Sequence, residues 1–173
     1  ELCRRFGLPE SVVVAGGAGD NAASACGMGT VAPGNAFLSL GTSGVLFAAN
    51  ASYQPNAESA VHTFCHALPN TWHQMGVILA ATDSLNWLAK VLNTSPAELT
   101  SALEGNEAAP TNVLFLPYLG GERTPHNDAN VRGVFLGLSH DTDAVEMTKA
   151  VLQGVAFAFR DSQNALASAG TIL

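Results

Sequence analysis

A short apolar run that glycines interrupt, followed at once by an acid, constrains this chain most. Residues 12–15 are Val-Val-Val-Ala, residues 16–19 contain three glycines, and Asp20 and Asn21 follow. β-Branched residues favour strands, and glycines favour turns. The pattern predicts a buried strand over residues 12–15 and a helix over residues 21–28. Asp20 is then expected at the C-terminal end of a strand, where α/β proteins bind ligands.

The rest of the chain alternates apolar runs with turn signals and helical spacing. Strands are predicted at residues 36–40, 45–49, 60–67, 71–75, 113–116 and 134–136, and helices at residues 1–8, 77–92, from 95 onward and 143–167. The last helix has Asp143 as its cap, Glu146 three residues later and Gly170 after its end. Because hairpins come first and helices then alternate with strands, we expect an α/β domain with a mixed sheet flanked by helices.

The charge of the chain excludes some kinds of partner. Seven Lys and Arg oppose 14 Asp and Glu, a net charge of −7, so a broad nucleic-acid-binding surface is not expected. No apolar run approaches the roughly 18 residues of a membrane span. Only 12% of the 173 residues are charged, so we expect a single domain whose surface is partly covered, by a further domain or in a homodimer. Three cysteines make no disulfide framework and favour a reducing, cytoplasmic setting.

Asp20 is the first candidate for catalysis. A carboxylate near the N-terminus of a helix is stabilised by unpaired N–H groups and the helix dipole, and it can take a proton from a hydroxyl. Phosphoryl transfer needs only modest help from such a base, because its transition state is loose. The alternative is that Asp20 only caps the following helix.

Gly41-Thr42-Ser43-Gly44 is the second candidate. Glycines let the backbone approach a phosphate closely, and the two hydroxyls add hydrogen-bond donors. The alternative is an ordinary hairpin turn. Thr-Ser is a poor pair for two-residue hairpin turns, which favour Asn-Gly or Gly-X, and this misfit slightly favours a phosphate-binding role.

A group of histidines raises the possibility of a metal site. His62, Cys65 and His66 lie close in the sequence, and His73 follows. Because side chains alternate along a strand, Cys65 is expected on the face opposite His62 and His66. Packing is therefore the expected role of this group, and no metal ligand is predicted.

The loop at residues 120–126 follows a predicted buried strand, a place where ligands often bind. Its charged residues, Glu122 and Arg123, have a simpler interpretation as well. They are expected either to contact a ligand or to pair with each other at the surface.

Several of these segments together resemble the FGGY family of carbohydrate kinases. The resemblance covers nearly the whole chain and is carried, in the family's order, by residues 15–23, 38–45, 58–69, 115–119, 121–126 and 133–153. It implies an actin-like ATPase (ribonuclease H-like) fold of two domains that close over ATP and a sugar. The chain is then expected to be one truncated C-terminal domain, residues 1–173, whose partner is the N-terminal domain of the same enzyme.

The resemblance also assigns roles to residues. Asp20 matches the catalytic base that takes the proton from the terminal hydroxyl of the sugar, and Asn21 matches a position that contacts sugar hydroxyls. The nucleotide residues that it implies are Gly41, Thr42 and Ser43, which match the second phosphate loop, and Thr82 and Asn86, which fall where a relative has nucleotide contacts.

The implied activity is ATP-dependent phosphorylation of a pentulose, D-xylulose, at its 5-hydroxyl, with Mg²⁺. The sequence lacks the family's first phosphate loop, of the type Asp-x-Gly-Thr, and its Gly-Gly-Gly adenosine motif, so we expect this chain alone to be inactive. Alternatives are a family member acting on ribulose, glycerol or gluconate, and a non-kinase actin-like ATPase that switches a partner-binding surface. A binding module without catalysis is a third alternative, which the presence of Asp20 disfavours.

Overall fold

The computed structural model describes residues 1–105 and 110–173. Its helices are α1 (Leu2–Phe6), α2 (Asp20–Met28), α3 (Thr82–Val91), α4 (Pro96–Ser101) and α5 (Ala144–Ser168). Its strands are β1 (Ala36–Leu40), β2 (Gly44–Asn50), β3 (His62–Cys65), β4 (Trp72–Ile78), β5 (Leu114–Leu116) and β6 (Val134–Leu136). No helix within the described residues combines the length and the apolarity that crossing a membrane requires.

A four-stranded sheet with the order β1-β2-β4-β3 forms the centre of the fold, and β5 and β6 form a separate pair. Both predicted hairpins are confirmed: β1 pairs with β2, and β3 pairs with β4 across the turn at Asn70. The α/β class with flanking helices is confirmed as well. Every pair of named strands in the described residues is antiparallel, so the parallel pairing of a mixed sheet does not occur among them.

Helix α5 covers one face of the central sheet. Its N-cap is Asp143, as predicted, and the Asp143 carboxylate accepts a hydrogen bond from the N–H of Glu146 at 2.9 Å. The contact with β4 is close, because a Cβ added to Gly76 would lie 2.8 Å from the Cβ of Ser162. A second core cluster, formed by residues of α3, α4, β5 and α5 with Val113, continues this layer.

Aromatic side chains cover the other face of the sheet. Phe37 stacks on Phe47 with ring centroids 4.9 Å apart, and Phe47 stacks on His73 at 4.5 Å. Phe64 lies 5.8 Å from His73. The rings form a continuous row from β1 through β2 and β4 to β3.

Strand β1 has a partner on one side only, because β2 is its single neighbour in the described sheet. Leu38 and Leu40 on this strand are 52% and 63% exposed. They line a mostly apolar cavity of about 400 Å³ together with Ala81 and Leu85 and with residues of α5.

Two predicted elements are wrong. Residues 12–15 are not a strand: Val13 and Val14 are 84% and 70% exposed, and no described strand pairs with them. A strand needs a neighbour for its backbone hydrogen bonds, and local β-propensity does not supply one. The helix predicted from Val77 begins only at Thr82, because Val77 and Ile78 pair with β2 and belong to β4.

Candidate functional site

Asp20 is the first residue of α2. The N-cap of this helix is Gly19, and no side chain makes a capping hydrogen bond from that position. Asp20 is therefore not the N-cap residue itself, although its carboxylate still accepts one of the N–H groups that the start of a helix leaves unpaired. One oxygen of its carboxylate, Oδ1, accepts hydrogen bonds from the backbone N–H of Asn21 at 2.7 Å and from Asn21 Nδ2 at 3.2 Å. Asn21 thus orients the exposed carboxylate of its neighbour.

The two residues line a cavity of about 510 Å³ between α2 and the β3–β4 hairpin. Its lining consists of Gly19, Asp20, Asn21 and Ala22 from one side and Phe64, Cys65, His73 and Met75 from the other. A carboxylate and an amide at one end of a largely apolar cavity fix the orientation of a small polar molecule. The sequence predicted the two polar residues but not the hairpin that completes the cavity.

His73 is the deepest polar group at this cavity. It is 4% exposed, and its Nδ1 has no hydrogen-bond partner among the described residues. Burial, and to a lesser extent the nearby His66, lower the pKa of His73 to about 4. The imidazole is therefore neutral near pH 7 and presents a polar but uncharged surface.

The two other histidines of the predicted group, His62 and His66, make contacts within the fold. His66 Nε2 lies 3.1 Å from the carbonyl oxygen of Thr30, which follows α2, and so joins that helix to the sheet. Burial and, second, Arg123 lower the pKa of His62. Within the described part of the chain no three His, Cys, Asp or Glu side chains are grouped as metal ligands, and Cys65 faces the Asp20 cavity.

The predicted phosphate loop, Gly41 to Ser43, joins β1 to β2 and is exposed. It lies against the N-terminus of α3. The carbonyl oxygen of Thr42 accepts from the N–H of Ala81 at 2.8 Å, and that of Gly41 accepts from the N–H of Thr82 at 3.0 Å. These bonds fix the loop by using N–H groups that a helix N-terminus otherwise leaves unpaired.

The loop offers its own donors outward. Among the described residues, no acceptor binds the N–H groups of Thr42 and Ser43 or the hydroxyl of Thr42. Exposed N–H groups beside a hydroxyl suit the oxygens of a phosphate. Thr82 donates its hydroxyl to the Gly41 carbonyl at 2.7 Å, so it supports the loop from α3. Asn86 is exposed one helical turn further along α3.

The Asp20 cavity and the phosphate loop are separate in this chain. Thr82 lines the apolar cavity beside β1, and that cavity shares no lining residue with the Asp20 cavity. Strand β4 and the residue that follows it connect the two regions: Met75 lines the Asp20 cavity, and the carbonyl of Leu79 accepts a hydrogen bond from the Ser43 hydroxyl at 3.1 Å. Met75 and Leu79 are four residues apart, and four residues of extended chain span about 13 Å, so the two regions are separated by roughly that distance along β4.

Glu122 is placed where the sequence did not predict it. Instead of pairing with Arg123 at the surface, it is 3% exposed, and its Oε1 accepts from the N–H of Leu79 at 2.9 Å and from the N–H of Arg123 at 2.7 Å. Burial raises the pKa of the Glu122 carboxyl, and the two hydrogen bonds act against that rise. No signal in the local sequence indicates this burial, because the partner lies 43 residues away.

Comparisons with known proteins give one family. A profile of the C-terminal domain of the FGGY family of carbohydrate kinases matches residues 36–172. The xylulose kinase of Escherichia coli (strain K12) is 48% identical over 172 residues, which cover 98% of this chain and 35% of that protein. The chain thus spans about a third of the length of the curated relatives that it matches.

Solved structures agree with the family profile. A xyloylose kinase from Brucella ovis superposes with a TM-score of 0.92 at 63% identity, covering 99% of this chain and 35% of that one. A gluconate kinase from Lactobacillus acidophilus has a TM-score of 0.80 at 27% identity, covering 95% of this chain and 34% of that one. The predicted actin-like ATPase fold is confirmed by these similarities.

Proposed function

The chain belongs to the FGGY family of carbohydrate kinases, and from this premise we propose that the complete protein transfers the γ-phosphoryl group of ATP to the 5-hydroxyl of D-xylulose. The observation that carries the proposal is the Asp20 cavity, in which an oriented carboxylate and an amide meet a neutral histidine. The high identity to xylulose kinases supports the choice of sugar.

In this proposal Asp20 is the general base. Its carboxylate takes the proton from the sugar hydroxyl while that oxygen forms a bond to the γ-phosphorus and the bond from this phosphorus to the β-phosphate bridging oxygen breaks. ADP leaves with the electron pair of the broken bond. Asn21 donates hydrogen bonds to Oδ1 of Asp20, which orients the carboxylate, and Asn21 also contacts sugar hydroxyls. Because the transition state of phosphoryl transfer is loose, it needs no stronger base than Asp.

The nucleotide side of the reaction falls to the loop at β1–β2. The unbound N–H groups of Thr42 and Ser43 and the Thr42 hydroxyl suit phosphate oxygens, and Gly41 lets the chain approach them. Thr82 and Asn86 extend this surface along α3. Mg²⁺ supplies charge neutralisation when it is bound with ATP; no residue of this chain is proposed to hold it.

Replacing Asp20 by Asn tests the base. In the complete protein we expect kcat to fall by about 10²-fold or more, the usual contribution of general base catalysis, while ATP binding is retained. Asp141→Asn makes the same chemical change at an exposed residue outside the cavity and serves as the control. If kcat of Asp20→Asn stays within roughly tenfold, or about 1.4 kcal/mol, Asp20 is not the base.

A second sugar is a specific alternative, because the gluconate kinase shares this fold at a TM-score of 0.80. A panel of xylulose, ribulose, glycerol and gluconate, assayed for ATP-dependent phosphorylation, separates these substrates. ATP turnover that no sugar stimulates points instead to a non-kinase ATPase.

The proposal includes a domain arrangement. This chain contributes one wall of a cleft, and the N-terminal domain of the same enzyme contributes the other, including the first phosphate loop. The chain alone is accordingly inactive, and measurable ATP-dependent xylulose phosphorylation by these 173 residues would contradict the arrangement.

A further inference from the structure

The phosphate loop depends on the peptide groups around Leu79. Strand β4 ends at Ile78, where its pairing with Gly44 ends too, so the sheet supplies no partner for the N–H and the carbonyl of Leu79. The Ser43 hydroxyl donates to the Leu79 carbonyl at 3.1 Å. The position of Ser43 is therefore tied to the position of this segment.

Glu122 fixes the segment from the opposite side. Its Oε1 accepts from the Leu79 N–H at 2.9 Å. A continuous series of contacts thus runs from the buried carboxylate of Glu122 through Leu79 to Ser43 in the phosphate loop. It bypasses the Asp20 cavity, whose lining includes none of these residues.

The segment that carries Glu122 is itself docked on β4. Glu122 and Asp128 exchange two backbone hydrogen bonds of 2.9 Å each. Thr124, which is fully buried, donates its N–H to the Val77 carbonyl and accepts from the Val77 N–H, both at 3.0 Å. Docking of this segment therefore does not depend on the Glu122 carboxylate alone.

A carboxylate is an expensive group to bury for a purely structural purpose. Glu122 Oε2 is buried and has no hydrogen-bond partner among the described residues, so only the nearby charges of His126 and Arg123 offset the burial of this second oxygen. An apolar residue in its place would leave the N–H of Leu79 without an acceptor, because the sheet supplies none. Among the hydrogen bonds of Glu122 in the described residues, only the one from Leu79 leads to the proposed phosphate loop.

We infer that Glu122 is a positioning residue for the phosphates of ATP, acting through Leu79 and Ser43 on the Gly41–Ser43 loop. The inference rests on the proposed function for the identity of the nucleotide. It is distinct from the roles given to Asp20 and Asn21, since it concerns the nucleotide and not the sugar.

The test uses three variants of the complete protein. Glu122→Ala removes the acceptor, so we expect the KM for ATP to rise by about tenfold or more, with the KM for xylulose unchanged. Glu122→Gln keeps an oxygen for both N–H groups and is expected to stay within roughly threefold of the wild type. Thr124→Val disturbs docking of the same segment without touching Leu79, and it is expected to lower stability but to leave the KM for ATP near the wild-type value.

Binding of a fluorescent ATP analogue in the absence of sugar gives a second measurement. It reports on Glu122 even if xylulose proves not to be the substrate, so the failure of the proposed function is seen separately. Equal loss of nucleotide affinity in Glu122→Ala and Thr124→Val, or no rescue by Gln, overturns the inference. Nucleotide affinity that falls in Glu122→Ala alone supports it.

Discussion

Replacing Gly76 by alanine tests the close contact between β4 and α5. A Cβ at this position would lie 2.8 Å from the Cβ of Ser162 and 3.1 Å from Leu166 Cδ1, whereas ordinary contacts begin at 3.4 Å. Ser162 is fully buried and its Cβ is fixed by the helix backbone. The helix and the strand must therefore separate by about 0.6 Å, since 3.4 minus 2.8 is 0.6.

Such overpacking costs about 1–3 kcal/mol. The lower conformational entropy of alanine in the unfolded chain returns roughly 0.5–1 kcal/mol. These ranges leave a net loss of about 0–2.5 kcal/mol, centred near 1 kcal/mol, and this central value corresponds to a fall in Tm of roughly 2–4 °C for a domain of this size. Scanning calorimetry of the complete protein measures it in the transition of the domain that contains this chain.

Two companion variants sharpen this test. Gly27→Ala adds a methyl group to an exposed helical position where nothing lies within 4 Å, so no fall in Tm is expected. Ser162→Gly removes the opposing Cβ, so the double variant Gly76→Ala/Ser162→Gly is expected to lose less than the sum of the two single changes. A Tm of Gly76→Ala above that of the wild type, or strict additivity in the double variant, refutes the reasoning.

Two further predictions concern pH and a helix cap. Because the pKa of His73 is about 4 in the folded chain, against an ordinary value of 6.5, only the unfolded state gains the proton between these pH values. The free energy of unfolding is therefore expected to fall as the pH is lowered from 6.5 toward 4. The fall is expected to be less than about 3 kcal/mol, because solvent in the adjoining cavity screens the ring. His73→Gln is expected to flatten the dependence of the urea midpoint on pH. Ser95 accepts from the N–H of Glu98 at 3.2 Å as the cap of α4; Ser95→Ala is expected to lower stability by about 1 kcal/mol, measured as a fall in the urea midpoint, and no fall would contradict the capping role.

The elements that the sequence predicted well are those with local causes. The β1–β2 hairpin has apolar runs on both sides of one glycine-rich turn, and α5 has its cap at Asp143 and an apolar face. The two errors arise from distant partners. Val77 has local helical spacing but pairs with Val45 in β2, and residues 12–15 have strand propensity without a neighbouring strand.

The candidate site divides in the same way. Asp20, Asn21 and the loop at Gly41 were predicted, since each is a short motif. The hairpin residues that close the Asp20 cavity, such as Phe64 and His73, lie 44 and 53 residues after Asp20. The burial of Glu122 could not be predicted either, because it depends on the N–H of Leu79. This N–H lies just past the end of β4 and has no partner in the sheet.

The side of β1 that faces away from β2 has no strand partner among the described residues, and this bears on how the chain behaves in solution. Its backbone N–H and carbonyl groups, with Leu38 and Leu40 beside them, form a template on which another extended segment can add. We expect the separately expressed chain to aggregate as its concentration rises, through growth of sheets from one molecule to the next. Light scattering at increasing concentration measures this tendency, and a charged residue in place of Leu40 is expected to reduce it.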